Sequence, residues 1–280
     1  MNTKDRELLQ KLKTRRRMLA ESLNNPAISG VKDIVTNLYD ENAHFIYELI
    51  QNSDDAGATN ITFILTKECI ILLHDGTRDF TISDPDTEKS DKENGLIGDL
   101  NSILSIANSN KTFDGNKIGK FGCGFKSVFR YTETPVIINN GLNIKIVDYV
   151  SLEECDKNFV DGYKRVISNE LSKTKSYNHF KNELSTIIIL PFKRNEREKA
   201  YNDIENRLKN LVRPIIFLEC VNSIQIVCDG NLFKYEKVVN NINTNNTNIE
   251  LQFIKYCSPD DNSYFWKVSR NSVLGLKSAL

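Results

Sequence analysis

The chain has 280 residues, 40% hydrophobic and 26% charged, which fits one large or two small globular domains. Its 37 basic and 37 acidic residues balance, so no overall field favours nucleic acid or a membrane as a partner. There is no signal-like leader or long apolar run, and the six cysteines lack zinc spacing, so we expect a cytoplasmic protein without a membrane segment.

The N-terminal part of the chain is predicted to be helical. Residues 4–23 carry leucines at helical spacing, and the first seventeen residues are basic. This basic face is either a solvated surface or an arm that contacts a partner. Further helices are expected over 31–39 and 42–56, and Gly57 is a suitable stop for the second of these.

Strands and loops alternate in the next part of the chain. Residues 61–65 and 70–73 read as a hairpin, and the polar residues 76–95 read as a mobile loop. A short helix is expected over 97–107 and another over 123–131.

The following segment contains a second hairpin signal and one stretch without a clear pattern. Strands are expected over 136–138 and 142–147, joined by an Asn-Asn-Gly turn. Residues 150–182 have mixed polarity and receive no assignment. The apolar run 186–190 predicts a buried strand, and 195–212 predicts a helix.

The C-terminal part is predicted to be β-rich. Strands are expected over 224–227, 232–239, 250–256 and 264–269. Six of the nine residues from 240 to 248 are asparagine, which is typical of a loop.

Three polar residues follow one face of the third predicted helix. Glu48, Asn52 and Asp55 stand at i, i+4 and i+7, next to an apolar stripe. The row lines either the edge of a cavity or a solvated surface. An asparagine carbonyl together with phosphate oxygens suits Mg²⁺, and a carboxylate one turn earlier could activate a water molecule.

A second motif is a G-x-x-G-x-G turn that leads into a helix, formed by Gly119, Gly122 and Gly124. Glycine lets the backbone approach phosphates closely, and the following helix offers unpaired N–H groups. The spacing is neither that of a P-loop nor that of a Rossmann turn. A tight corner between a loop and a helix is the structural alternative.

Two more segments complete an ordered set of four. His74-Asp75-Gly76 forms an Asp-Gly turn, and Thr186 begins a β-branched strand. Together the four segments resemble the GHKL (Bergerat-fold) ATPases, and within them the heat shock protein 90-like, sacsin-type ATPases. The resemblance covers residues from about 30 to 225.

The resemblance implies an α/β (α+β) two-layer sandwich, with a mixed, mainly antiparallel sheet and helices on one face. It divides the chain into an N-terminal helical arm (1–29), an ATP-binding domain (30–225) with a lid (77–118), and a β-rich C-terminal extension (226–280). We expect the last ten residues to be the stub of a longer protein.

The resemblance also assigns ATP and Mg²⁺ as cofactors, and it gives roles to individual residues. Glu48 matches the general base and Asn52 the Mg²⁺ ligand. Asp55 matches an acid near the sugar and phosphates. Asp75 matches the acceptor of the adenine amino group, sharing a water molecule with Thr186.

The phosphate end of the implied site lies in the lid and the glycine turn. Lys111 matches a lid lysine that reaches phosphate. The cradle is formed by Gly119, Gly122 and Gly124 with the backbones of Cys123 and Phe125. The sequence departs from the family pattern at Thr77-Arg78, where a second glycine usually follows the Asp-Gly turn, and at Ser185, where glycine often precedes the threonine.

The implied function is Mg²⁺-dependent ATP binding with slow hydrolysis, which closes the lid in a larger protein of chaperone-like or phage-defence type. Protein partners, further domains or a nucleotide-dependent dimer are expected, and nucleic acid is not indicated. A nucleotide-responsive interaction module without hydrolysis and a DNA-processing ATPase stay open as alternatives. A histidine kinase is disfavoured, because the chain has three histidines and no phospho-acceptor helix.

Overall fold

A computed structural model describes residues 1–25, 43–105, 124–174, 185–211, 218–244, 247–257 and 263–269. The predicted helix over 31–39, most of the glycine turn and the last eleven residues lie outside these ranges.

One sheet organises the described part of the chain. Its strands are β1 (Asn60–Leu65), β2 (Cys69–His74), β3 (Val136–Asn139), β4 (Leu142–Val147), β5 (Ser151–Glu154), β6 (Thr186–Pro191), β7 (Ser223–Cys228), β8 (Asn231–Thr244), β9 (Thr247–Cys257) and β10 (Ser263–Ser269). Their order across the sheet is β10-β9-β8-β7-β1-β2-β6-β3-β4-β5. β1 and β7 run parallel, and the other described neighbours are antiparallel.

Six α-helices are described in addition to two short 3-10 helices. The α-helices are α1 (Thr3–Leu23), α2 (Phe45–Asp55), α3 (Glu88–Glu93), α4 (Asp99–Leu104), α5 (Lys157–Ser172) and α6 (Arg197–Leu208). The 3-10 helices are Phe125–Arg130 and Arg194–Glu196.

The sheet is buried on both faces. On β2, Ile70 and Leu72 belong to the large core shared with α1, α2, α4 and α6. Ile71 on the same strand faces the other way, into a smaller core with Val160 and Ile167 of α5. The alternation follows from the period of two along a strand. The predicted mixed, mainly antiparallel sheet in an α/β sandwich is confirmed, and α5 covers the face opposite the other helices.

α1 packs on the main body of the fold. Leu9 is 2% exposed and Leu12 is fully buried within the large core. Gln10 and Lys13 both contact the carboxylate of Glu154 on the edge strand β5, at 2.8 and 3.1 Å. The helical prediction for 4–23 is confirmed, with Asn2 as the N-cap that accepts from the Asp5 amide.

Two predictions differ from the structure. The asparagine content of residues 240–248 predicts a loop, but β8 runs to Thr244 and β9 begins at Thr247. That loop prediction is wrong, because ladder hydrogen bonds come from the backbone and tolerate poor strand formers. The predicted loop 76–95 contains α3. The unassigned stretch 150–182 holds β5 and α5.

Candidate functional site

A narrow cavity lies between α2 and the ends of β2 and β6. The space it encloses is about 10 Å³, room for about one water molecule, and the rest of the cavity opens to solvent. Leu49 of α2, Ala56 directly after this helix and Ile188 of β6 supply apolar walls, and Phe80 closes one side. The polar lining residues are Asn52, Ser53, His74, Arg78, Asp79, Asp99 and Thr186.

Asn52 is the predicted α2 residue that reaches this cavity. Its side chain is 5% exposed, and its Nδ2 is buried without a hydrogen-bond partner among the described residues. Buried amides are normally satisfied, because an unmade hydrogen bond costs about 1–3 kcal/mol. The unpaired Nδ2 group of Asn52 indicates a position where a ligand could bind.

Glu48 lies one turn earlier on α2 and points at the first 3-10 helix. A Cβ added to Gly124 would fall 2.0 Å from the carboxyl carbon of Glu48, so the carboxylate lies directly against this glycine. Burial raises the pKa of Glu48, and the nearby charge of His44 lowers it in part. His44 Nε2 lies 3.7 Å from Glu48 Oε1. The structure thus brings Glu48 and Gly124 together beside the cavity.

Asp55 lies at the exposed end of α2 and does not line the cavity. Partial desolvation, followed by the neighbouring Asp54 charge, raises the pKa of Asp55 to about 6. Asp54 instead accepts from the backbone amides of Glu219, Cys220 and Val221 at 2.7–2.8 Å. This carboxylate joins the end of α2 to the segment directly before β7.

A polar row crosses three strand ends at the base of the cavity. His74 on β2 is paired with Thr186 on β6, which is paired in turn with Asn139 on β3. Asn139 Oδ1 accepts from the Phe80 amide at 3.3 Å, so its Nδ2 donates to Thr186 Oγ1 at 2.9 Å. His74 Nδ1 accepts from the Gly76 amide at 3.1 Å.

Asp75 is turned away from this row. Its carboxylate accepts four hydrogen bonds of 2.8–2.9 Å, two from Thr59 and two from Asn60. Burial alone would raise the pKa of Asp75, but these hydrogen bonds outweigh it and hold the pKa below its ordinary value. Asp75 does not line the cavity, so the predicted residue braces the turn before β1 while its neighbour His74 faces the cavity.

The segment after β2 supplies residues that the sequence pattern does not single out. Asp99 accepts from Arg78 Nη1 at 3.1 Å through both oxygens, and also from the amide and hydroxyl of Thr81. Gly76 fits tightly here, since a Cβ would lie 2.9 Å from the carbonyl oxygen of Ala56. Residues 76–99, called the rim segment below, form the rim of the cavity.

The basic face of α1 contacts the same segment. Arg16 is 7% exposed and pairs with Glu88, which also accepts from Asn101 Nδ2 at 3.4 Å. Lys11 pairs with Asp84 and Asp86 at 2.6 and 2.5 Å. The basic residues of α1 therefore hold the described part of the predicted lid, residues 77–105.

The other predicted phosphate-binding residues are placed as follows. Phe125 is 1% exposed and begins the 3-10 helix next to Gly124, where it belongs to the large core. The remaining four lie outside the described residues: Lys111, Gly119, Gly122 and Cys123.

Among the described residues, no helix has the length and apolar character needed to span a membrane, and no three or more His, Cys, Asp or Glu side chains cluster as metal ligands would.

Comparison with known proteins identifies the family. The model of the Sacsin domain matches residues 24–231. Protein NO VEIN of Arabidopsis thaliana is 26% identical over 219 residues, which are 72% of this chain and 7% of that protein. Sacsin of Homo sapiens is 32% identical over 120 residues, which are 41% of this chain and 2% of that protein. The chain thus spans a small fraction of these relatives' length.

The family match runs from the end of α1 to the start of β8 and takes in the cavity, the polar strand-end row and the segment held by α1. The chain belongs to the Sacsin domain family.

Proposed function

We propose that this domain binds Mg-ATP in the cavity between α2 and the ends of β2 and β6, and that it hydrolyses the nucleotide slowly. The observation that carries the proposal is the buried amide of Asn52, which lines the cavity with no hydrogen-bond partner for Nδ2 among the described residues. The ordered set of four sequence motifs and the membership in the Sacsin domain family support it.

The metal would be held chiefly by Asn52. Mg²⁺ prefers hard oxygen ligands and keeps several waters, so one amide oxygen together with nucleotide phosphates is a suitable set. When bound, the ion neutralises phosphate charge and polarises the terminal phosphoryl group. Because Asn52 lines the cavity, its carbonyl oxygen would be within reach of this ion.

Glu48 would act as the general base. It lies one turn from Asn52 on the same face of α2, and its raised pKa makes it a stronger base than an exposed glutamate. The contact with Gly124 holds the carboxylate beside the N-terminal end of the 3-10 helix. From there it can accept the proton of a water molecule that attacks the terminal phosphate.

The rim segment and α1 supply the conformational part of the proposal. Phe80 and Asp99 line the cavity, and the chain between them is tied to α1 through Arg16 and Lys11. A change of this segment on nucleotide binding would therefore be passed to α1. Closure of a lid in a larger protein, of chaperone-like or other type, would use this connection.

A phosphate-release assay tests the hydrolytic step. Wild-type protein is expected to release phosphate from Mg-ATP, and Glu48→Gln to lower the rate by about 10²–10⁴-fold, the usual contribution of a general base. Equal rates in the two proteins would remove Glu48 from the mechanism.

A nucleotide-responsive interaction module without turnover is the second candidate. It is favoured by one observation, namely that Glu48 is not itself a lining residue of the cavity in this conformation. Binding of Mg-ATP without phosphate release, in multiple-turnover and single-turnover experiments alike, would select this candidate.

A further inference from the structure

The inner end of the cavity is formed by His74 and Thr186, which are opposite one another on β2 and β6. Directly paired residues of antiparallel strands project from the same face, with Cβ atoms about 5 Å apart. His74 shares its face with Ile70 and Leu72, which pack on the helix side of the sheet. The two polar side chains therefore meet a ligand together.

The hydrogen bonding of His74 determines which of its ring nitrogens carries the proton. Nδ1 accepts from the Gly76 amide, so in the neutral ring the proton is on Nε2. Desolvation lowers the pKa of His74 to about 4, although the Asp75 charge acts in the opposite direction, so the ring is neutral at neutral pH. The residue is 4% exposed and lines the cavity, and its hydrogen bond to the described part of the chain is made through Nδ1 and leaves Nε2 for the cavity. His74 presents a donor to the cavity.

Thr186 can supply the complementary acceptor. Its hydroxyl oxygen accepts one hydrogen bond from Asn139, and the orientation of that amide is fixed by the Phe80 backbone. A hydroxyl oxygen has two acceptor positions, so one remains. Asp75 cannot take this role in the described conformation, because Thr59 and Asn60 occupy its carboxylate.

Adjacent donor and acceptor groups match the edge of adenine. We propose that His74 Nε2–H donates to ring nitrogen N1 of adenine and that the Thr186 hydroxyl oxygen accepts from the 6-amino group. The assignment rests on the proposed function, since it names the base-reading residues of the same ATP site. Hypoxanthine and guanine carry a hydrogen on N1 and oppose the His74 donor with a second donor, which leaves both unpaired.

The test uses wild-type protein and a series of nucleotides in calorimetric titrations with Mg²⁺. ATP is compared with 1-deaza-ATP, which keeps the amino group but lacks N1, and with purine riboside triphosphate, which keeps N1 but lacks the amino group. In the complex with 1-deaza-ATP, the Nε2–H group of His74 would have no acceptor. We therefore expect 1-deaza-ATP to bind about tenfold more weakly than ATP, or worse. Purine riboside triphosphate is expected to lose about fivefold or less, because Thr186 keeps its bond to Asn139.

Two outcomes would overturn the assignment, and they differ from failure of the proposed function. Binding of 1-deaza-ATP as tightly as ATP excludes His74 as the reader of N1. If purine riboside triphosphate alone loses affinity, a carboxylate such as Asp75 reads the amino group. Absence of ATP binding to the wild-type protein refutes the proposed function itself.

A substitution at His74 gives an independent check of the same contact. His74→Leu removes the donor and is expected to make the affinities for ATP and 1-deaza-ATP equal within about twofold, since the contact that distinguishes them is gone. Retained discrimination in a folded His74→Leu protein would contradict the assignment. If the variant does not fold, the nucleotide series on wild-type protein still decides.

Discussion

The carboxylate of Glu48 lies against the Cα of Gly124, so closely that a methyl group on that glycine would overlap the carboxyl carbon. The backbone of Gly124 is in the right-handed helical region, so the position requires glycine for space and not for conformation. Two segments 76 positions apart in the sequence thus meet at the residue proposed as the base.

This contact predicts a specific effect of Gly124→Ala. The added methyl group pushes the flexible end of Glu48 aside, so we expect phosphate release to fall by about 10²-fold with little loss of stability. Gly162→Ala is the matched control, because a Cβ on that helical glycine meets nothing within 4 Å. Wild-type turnover in a folded Gly124→Ala protein would refute the positioning of Glu48 by this contact.

The environment of Glu48 predicts the pH dependence of hydrolysis. Burial raises the pKa of Glu48 above its ordinary 4.5, and only the deprotonated form accepts a proton. The rate should therefore fall as pH falls through a value above 4.5. His44→Gln removes a charge that lowers this pKa, so the acidic limb should move to higher pH, as measured in rate profiles of both proteins. If the acidic limb of the pH–rate profile stays at the same pH in His44→Gln, His44 does not affect the pKa of Glu48.

The four hydrogen bonds to Asp75 predict a structural role for this carboxylate. We expect Asp75→Asn to lower the free energy of unfolding by about 1–3 kcal/mol at pH 7, because an amide cannot accept from all four donors. Asp55→Asn, by contrast, should not lower it, because partial desolvation and the neighbouring Asp54 charge disfavour the ionised carboxylate of Asp55 at pH 7. Denaturant unfolding followed by circular dichroism gives both values. Equal stability of the two variants would show that the hydrogen bonds to Asp75 do not stabilise the fold.

The same carboxylate predicts how stability depends on pH. The folded-state pKa of Asp75 is below its ordinary 3.8, so its contribution is present above that value and is lost as pH falls through the folded pKa. The difference between wild type and Asp75→Asn should shrink on acidification below about pH 4. If the stability difference between wild type and Asp75→Asn stays constant down to about pH 2, the charge of Asp75 does not cause it.

The ion pair between α1 and the rim segment predicts a loss of stability in Arg16→Ala. We expect about 2–3 kcal/mol, somewhat less than for a fully buried pair, because Glu88 keeps some contact with water. Arg17→Ala is the control, since the Arg17–Glu21 pair is 79% and 68% exposed and should contribute less than about 0.5 kcal/mol. Similar losses in both variants would show that the Arg16 pair does not hold α1 in place.

Much of the fold follows from local patterns in the sequence. Alternation predicts the hairpin of β1 and β2, and a helix stop predicts the end of α2 before Gly57, whose φ is +73°. The sequence pattern does not predict α5, although Asp156 caps it and Val160 and Ile167 keep a helical spacing. Gly162 in the middle of this helix and the many charges around it obscure the pattern.

The site is predictable in part. The row on α2 gives Glu48 and Asn52, but the resemblance places Asp75 at the base of the cavity where the strand places His74. Counting in steps of two from Ile70 assigns His74 to the helix face, so this signal is present in the sequence. The ion pairs between α1 and residues 84–88 depend on tertiary packing, and no local pattern predicts them.

Calorimetric titration of wild type and Asn52→Leu with ATP, with and without Mg²⁺, tests the central claim most directly. Because Nδ2 of Asn52 has no partner among the described residues, the variant loses no intramolecular hydrogen bond there and should unfold at an unchanged or higher denaturant concentration. We predict Mg²⁺-dependent binding of one ATP by the wild type and at least about tenfold weaker binding by Asn52→Leu. Absence of binding to the wild type, or equal affinity of the two proteins, would contradict the account.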